Sequence, residues 1–283
     1  MKVRVKAYAK LNLTLDITGV EGGYHMLDSL VCSVDLYDLI VLNKRKDDRV
    51  SIEMHGCDCE LIPYENNNAV KAAERYIAEF GTCGADIVIY KNIPVGAGLG
   101  GSSADAAGVL RGMAELYGKG GENQLKEIAD SLGSDTGYML NGGFAVLRGK
   151  GERIEKIKRP LKLHFILLKP RGGVSTSECY ALYDRLSCGT GGNSFAAVEA
   201  ITKGDVQALG KSLHNALYEP AVRLNPDVKT AFEELEAFSP LGVCMTGSGS
   251  AVFALFENAE FCAWAKSRYR GKFNCIQLKS VTK

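Results

Sequence analysis

The residues best suited to chemistry lie in one run, Pro94-Val-Gly96-Ala97-Gly98-Leu99-Gly100-Gly101-Ser102-Ser103-Ala-Asp105. Glycines carry no Cβ, so a backbone this rich in them can bring its N–H groups close around an anion. From Ala104 onward the apolar residues Ala107, Leu110, Met113, Ala114 and Tyr117 recur at helical spacing. The loop therefore opens into a helix, whose N-terminus adds partial positive charge. That combination predicts phosphate binding. The run is neither the G-x4-G-K-[ST] of a P-loop nor the G-x-G-x-x-G dinucleotide fingerprint, and a flexible connector is the plainer alternative.

Moving a phosphoryl group also requires a residue to orient or deprotonate the acceptor and a charge to steady the transferred oxygens. Lys10 and Asp135 are the candidates. Between Val3 and Ile17 the sequence alternates like a strand, with Leu11, Leu13 and Leu15 on one face and Lys10, Asn12, Thr14 and Asp16 on the other. Asp135 ends a Gly-Ser-Asp turn after a helical segment, where side chains project into clefts. Each also has an ordinary reading, a solvated strand lysine and a turn-forming aspartate. Gly22-Gly23-Tyr24-His25 sets an aromatic ring and an imidazole beside a tight turn, where they could stack on and hydrogen-bond a planar base or simply pack. Thr246-Gly247-Ser248-Gly249-Ser250 is either a hairpin turn or a wall of the substrate cleft. His55-Gly-Cys57-Asp-Cys59 is an incomplete ligand set for a structural zinc, and strand alternation explains it equally well.

The elements that must carry these residues can be read in outline. Strands are expected over 3–17, twice within 30–42, and at 85–90, 144–147, 162–169, 242–246, 251–256 and 273–279. Helices are expected at 68–80, from 104, at 123–132, 176–186, 195–217, 226–237 and 258–268, with a glycine- and serine-rich loop at 187–194. This interleaving without regular βαβ spacing indicates an α+β fold. Polar residues around 149–160 suggest a hinge, dividing the chain into domains 1–155 and 156–283. Across 283 residues, 34 Lys and Arg nearly cancel 33 Asp and Glu, so no overall positive field would draw nucleic acid or an anionic membrane. The opening MKVRVKAYAK lacks the apolar core of a signal peptide, and no stretch approaches the roughly 20 apolar residues of a membrane span. Nine scattered cysteines suit a reducing compartment, and the expectation is a cytoplasmic protein.

Taken in order, Ala9-Lys-Leu-Asn-Leu13, Gly23-Tyr-His25, the loop at 94–107, Gly133-Ser-Asp135, Val174-Ser-Thr176 with Tyr180, and Thr246 to Phe253 resemble the GHMP kinase superfamily. Within it they resemble the 4-diphosphocytidyl-2-C-methyl-D-erythritol kinase family. The loop is characteristic of the superfamily; A-K-L-N-L followed by G-Y-H is more specific to the family. Two departures stand out: the serine pair of the loop is displaced by one position, and Thr-Gly-Tyr-Met follows Asp135 where the family carries a more apolar run.

The resemblance implies a two-lobed fold. The N-terminal ATP-binding lobe would be like ribosomal protein S5 domain 2, the C-terminal lobe ferredoxin-like, with substrate between them. It implies transfer of the γ-phosphate of ATP, with Mg2+, to the 2-hydroxyl of 4-CDP-2-C-methyl-D-erythritol in the non-mevalonate route to isoprenoids. Asp135 matches the catalytic aspartate and Lys10 its supporting lysine. Asn12, Tyr24, His25 and Tyr180 match the cytidine end, with the two tyrosines sandwiching the ring; Thr176, Gly247 and Ser248 fall in matching substrate-side segments. The expected partners are small molecules only, ATP and a CDP-linked sugar alcohol, with no nucleic acid or membrane, and the chain is expected to be a monomer or homodimer. Alternatives are a GHMP kinase for mevalonate, phosphomevalonate, homoserine or a sugar, or a ligand-binding relative without activity.

Overall fold

The computed structural model describes residues 1–62, 66–158, 161–186 and 194–281, so most of the loop expected at 187–194, and residues 159–160 of the expected hinge, lie outside the described residues. Two compact units emerge, and both are discontinuous along the chain. The first comprises Met1–Ala9, Leu36–Val95 and Gly100–Gly142; the second comprises Lys10–Asp35, Gly96–Leu99 and Gly143–Lys283. Strands β1 (Lys2–Asn12) and β3 (Tyr24–Lys44) contribute residues to both units.

In the first unit, β4 (Ser51–Gly56) runs parallel to β5 (Ala85–Lys91), which pairs antiparallel with the later part of β3, and β1 pairs with β3. On β1, Val3, Val5, Ala7 and Ala9 are buried while Lys2, Arg4 and Lys6 are exposed, the alternation of a sheet with one covered face. Helices α1 (Asn68–Phe80), α2 (Gly101–Tyr117), α3 (Glu122–Leu132) and α4 (Thr136–Asn141) complete the unit. Helix α2 lies very close to the sheet: a Cβ at Gly108 would stand 2.5 Å from Ile40 Cδ1, and one at Gly112 would stand 2.3 Å from Leu42 Cδ1. Small residues permit that approach and set where the N-terminus of α2 emerges.

In the second unit, β2 (Thr14–Glu21) and the start of β3 form a hairpin, with Glu21 opposite Tyr24. Gly22 and Gly23 adopt φ of 57° and 80° at its tip, the pair of positive φ values that a two-residue type I′ turn requires. Strand β6 (Phe144–Gly149) pairs with β3 and with β7 (Arg153–Lys156), and β9 (His214–Asn215) pairs parallel to β2. Helices α5 (Thr176–Leu186), α6 (Ser194–Lys203), α7 (Val206–Ser212), α8 (Tyr218–Leu224), α9 (Asp227–Glu236) and α10 (Ala259–Arg268) accompany a second sheet. That sheet is antiparallel, ordered β10 (Gly242–Met245), β11 (Val252–Phe256), β8 (His164–Lys169), β12 (Asn274–Lys279). Chain order β8, helices, β10, β11, α10, β12 gives the βαββαβ arrangement of a ferredoxin-like fold. Its core gathers Ile166, Leu168, Val228, Leu235, Val252, Phe256 and Cys262.

Several expectations change in detail. The strand expected over 3–17 breaks at Leu13, and the two strands expected within 30–42 belong to one 21-residue strand. Helix α2 starts three residues earlier than its apolar spacing, at Gly101, because its first turn is built from glycine and serine rather than from core residues. Within the segment expected to be a hinge, 153–156 forms β7. The helical stretch expected over 195–217 is interrupted, dividing into α6 and α7 and giving way to the short strand β9.

Candidate active site

The phosphate-loop candidate has an unusual polarity. In the second unit, the carbonyl oxygens of Gly96, Ala97, Gly98 and Leu99 all accept hydrogen bonds. Their donors are Ser250 N–H (3.3 Å), Ala251 N–H (3.2 Å), Thr246 Oγ1 (3.2 Å) and Lys10 N–H (3.1 Å) respectively. Among the described residues, no acceptor takes the amide N–H groups of these same four residues. A stretch whose carbonyls are consumed and whose N–H groups are free is a site for negative charge.

Its continuation in the first unit agrees. Helix α2 is capped by Gly100, with no side chain on its N-terminal amides and no acidic residue in its first turn. The positive end of the helix is therefore left uncompensated by the protein. Asp105, expected among the phosphate-side residues, turns inward instead, where Lys91 Nζ reaches its Oδ2 at 2.6 Å. Burial pushes its carboxyl up to about 8 against the pull of Lys91. Ser102 is exposed and accepts from Asn68 Nδ2 at 3.0 Å.

Asp135 lies at the N-terminal end of α4, and α4 packs on α2. A Cβ at Gly133 would stand 3.4 Å from Thr136 Oγ1 and 3.9 Å from Ser103 Oγ, so the Gly133-Ser-Asp135 turn lies beside the first turn of α2. Among the described residues, Thr136 Oγ1 is buried there without a hydrogen-bond partner. The first unit thus brings together the helical half of the loop and the aspartate that the sequence singled out.

Lys10 and Asn12 are buried, not the solvated strand face that strand lysines usually form. Lys10 Nζ donates to Asn12 Oδ1. Asn12 makes further hydrogen bonds: its N–H donates to Thr246 Oγ1 (3.0 Å), its Nδ2 to Ser29 Oγ (2.8 Å), and its Oδ1 also accepts from Gly247 N–H (3.0 Å). Asn12 therefore joins strand β1 to the 246–250 loop and aims the lysine. Ser248 Oγ and Thr176 Oγ1 are 2.9 Å apart, and Ser250 Oγ donates to Gly172 O at 2.8 Å. The second glycine loop is a substantial packing element, held to the segments on either side of it.

At the tip of the β2–β3 hairpin, His25 Nε2 is 2.7 Å from Asp184 Oδ1, and its ring lies 4.6 Å from that of Tyr180, centroid to centroid. Tyr24 is 58% exposed, with Lys150 Nζ 3.8 Å above one ring face. The spacing of Tyr180 and Asp184 by one helical turn on α5 is what brings both to His25.

A group that sequence reasoning did not single out supports this region. His214 Nε2 is 2.7 Å from Asp16 Oδ1, and its Nδ1 is 3.0 Å from the carbonyl of Ser212. Ser194 Oγ donates to the other oxygen of Asp16 at 2.7 Å. The neighbouring Asn215 donates through Nδ2 to Met245 O (2.8 Å) and Gly247 O (2.9 Å), anchoring the 246–250 loop. Burial alone would lower the His214 pKa, but two acceptors at its two nitrogens outweigh that and raise it. Burial would raise the Asp16 pKa, but His214 and Ser194 hold it down.

The histidine's contribution is therefore full below its unfolded pKa, about 6.5, and fades as pH rises through the higher folded value; that of Asp16 is lost as pH falls below about 3.8. His214→Gln should cost about 1 kcal/mol at pH ~5.5 and markedly less at pH ~9. Denaturant melts of both proteins at the two pH values measure this, and an equal gap at both would contradict it.

The family model “GHMP kinases N terminal domain” matches residues 67–149, and “GHMP kinases C terminal” matches residues 197–262. A 4-diphosphocytidyl-2-C-methyl-D-erythritol kinase of Clostridium tetani is 37% identical over 284 residues, covering 99% of this chain and 100% of its own. The protein of that name from Caldicellulosiruptor saccharolyticus is 37% identical over 258 residues, covering 90% of this chain and 88% of its own. A solved 4-(cytidine 5′-diphospho)-2C-methyl-D-erythritol kinase superposes with a TM-score of 0.83 at 31% identity, covering 98% of this chain and 99% of that one. A homoserine kinase from Cytophaga hutchinsonii, TM-score 0.75 at 19% identity over 99% of this chain and 95% of its own, shares the fold. With the loop polarity, the buried Lys10–Asn12 pair and these matches in place, the chain belongs to the GHMP kinases, in the 4-diphosphocytidyl-2-C-methyl-D-erythritol kinase family.

Proposed function

We propose that this chain transfers the γ-phosphoryl group of ATP to the 2-hydroxyl of 4-CDP-2-C-methyl-D-erythritol, a step toward isoprenoid precursors. The observation that carries the phosphoryl chemistry is the loop at 96–99, with its carbonyls engaged and its N–H groups free, running into an uncompensated helix N-terminus. The names of the full-length relatives support the acceptor.

In this reading the loop and the first turn of α2 hold the triphosphate, and Asp135 takes the proton from the acceptor hydroxyl as its oxygen attacks phosphorus. Lys10, held by Asn12, steadies the charge that develops on the transferred oxygens. Magnesium bound to the triphosphate supplies charge neutralisation between its phosphates. The hard hydroxyl oxygens beside Gly133 fit such an ion, and Ser103 is the residue that would hold it. Tyr24, His25 and Tyr180 take the cytosine ring, with Thr176, Gly247 and Ser248 on the acceptor side. In this reading two sequential domains meet near residue 155, which lies between the two matched family segments. The cytoplasm is the proposed compartment; among the described residues the cysteines are free and no helix is long and apolar enough to cross a membrane.

Coupled ADP release with ATP, magnesium and a panel of CDP-methylerythritol, mevalonate, phosphomevalonate, homoserine and galactose tests the assignment. Turnover confined to the first is expected. Turnover on another acceptor would keep the phosphoryl chemistry and discard the cytosine site, and silence on all five would remove the catalytic reading. Tyr24→Ala should weaken acceptor binding by about 1–3 kcal/mol while leaving ATP binding alone, as expected for loss of a base-stacking ring. Calorimetric titration with CDP-methylerythritol checks this, and unchanged affinity would rule out the stacking role.

A further inference from the structure

Three ionisable side chains from three elements of the first unit meet out of solvent under the start of α2. Lys91, the last residue of β5, donates through Nζ to Asp38 Oδ2 on β3 and to Asp105 Oδ2 on α2. The side chains are 1%, 0% and 6% exposed respectively, so none of them reaches a ligand. Asp38 Oδ1 also accepts the backbone N–H groups of Asn92 (2.6 Å) and Ile93 (2.9 Å), where the chain leaves the sheet to enter the phosphate loop. At the other end of the loop, a Cβ on Gly101 would stand 3.7 Å from Lys91 Nζ and 3.1 Å from Ile93 Cγ2.

Buried ionic clusters are poor stabilisers, because desolvation offsets most of the attraction and well-packed apolar side chains often do as well. This one is not even fully bonded, since Asp105 Oδ1 is buried with no hydrogen-bond partner among the described residues. Its placement explains it better than its energy: Asp38 grips the entry of the loop, Asp105 belongs to the helix at its exit, and one ammonium joins the two. In a P-loop the lysine points at the phosphates. Here it points into the core.

We infer that Lys91, with Asp38 and Asp105, is a positioning residue for phosphoryl transfer: the cluster fixes the separation of the loop's entry at Asn92–Ile93 from its exit at Gly101–Asp105, and so the direction its free N–H groups face. This rests on the phosphate-binding reading of the loop. It predicts an effect on ATP alone.

Asp105→Ala severs the exit tie while leaving the Lys91–Asp38 pair neutral and intact. The KM for ATP should rise at least about tenfold with the KM for the acceptor unchanged, and Asp105→Asn, which keeps an oxygen for Lys91, should bring it back to within about threefold of wild type. A purely structural role would lower the melting temperature without that selective split. If the alanine variant does not fold, Asp105→Ser, polar but too short to reach Lys91, carries the same test. Ser102→Glu is the control on the loop itself, because a carboxylate in the first turn competes with phosphate for the helix N-terminus. An ATP KM raised in Ser102→Glu but unchanged in Asp105→Ala overturns the positioning role and leaves the loop reading standing. An unchanged ATP KM in Ser102→Glu removes the loop reading and this inference with it. Equal impairment in Asp105→Ala and Asp105→Asn also overturns the inference, because an oxygen held to Lys91 would then not be what sets the loop.

Discussion

Asp135→Asn is expected to lower kcat by about 10²–10⁴-fold while ATP affinity stays near wild type. The substitution is nearly isosteric, so the turn between α3 and α4, where Thr136 N–H donates to Gly133 O at 3.0 Å, is preserved. What it removes is the carboxylate proposed to accept the hydroxyl proton. If that proton moves only as the oxygen attacks, the loss belongs to the transition state and appears in kcat and kcat/KM alike. The groups assigned to the triphosphate are untouched. Steady-state kinetics together with calorimetric ATP titration measure both halves, and near-wild-type turnover would rule out the base.

Gly98→Ala is expected to damage both stability and nucleotide binding. Gly98 has φ of 73°, and a Cβ there would stand 2.0 Å from Thr246 O and 3.2 Å from Gly249 N, both backbone atoms. Neither can give way without displacing the segment that Asn12 and Asn215 hold in place. The strain should cost about 1–3 kcal/mol of stability, and the KM for ATP should rise because the neighbouring N–H groups are re-aimed. Urea denaturation and ATP kinetics report the two effects. A variant as stable as wild type, with an unchanged ATP KM, would show that the close approach of the two glycine loops has no functional weight.

The two cases mark how far the residues alone could be read. The glycine loop opening into α2 was legible because its signal is local: glycines in succession, then helical spacing, within a dozen or so residues. Helix α1 was equally plain, with apolar positions recurring at one face and Asn67 capping it by accepting from Ala69 N–H at 2.9 Å. The hairpin at Gly22-Gly23 followed from the φ values only glycine adopts readily. Less legible were features whose cause is distant. The alternation over 3–17 set Leu11, Leu13 and Leu15 apart from Lys10, Asn12, Thr14 and Asp16, yet all seven are buried and the strand breaks at Leu13. A polar strand face next to an apolar one ordinarily faces water. Here its partners are Ser29, Thr246, Ser194 and His214, up to 234 residues away in sequence.

By itself, then, the sequence determined the family and the segments proposed to carry its chemistry, because a glycine loop before a helix, a strand lysine and a turn aspartate are local patterns. Only the tertiary structure decided how those residues are used. It turned the carbonyls of Gly96 to Leu99 toward Lys10, Thr246, Ser250 and Ala251 and so left the N–H groups free. It also turned Asp105 into the core to Lys91. The physical reason is that a buried polar group must find a partner, and which partner is near is settled by packing between segments far apart in the chain, a quantity that no local spacing encodes.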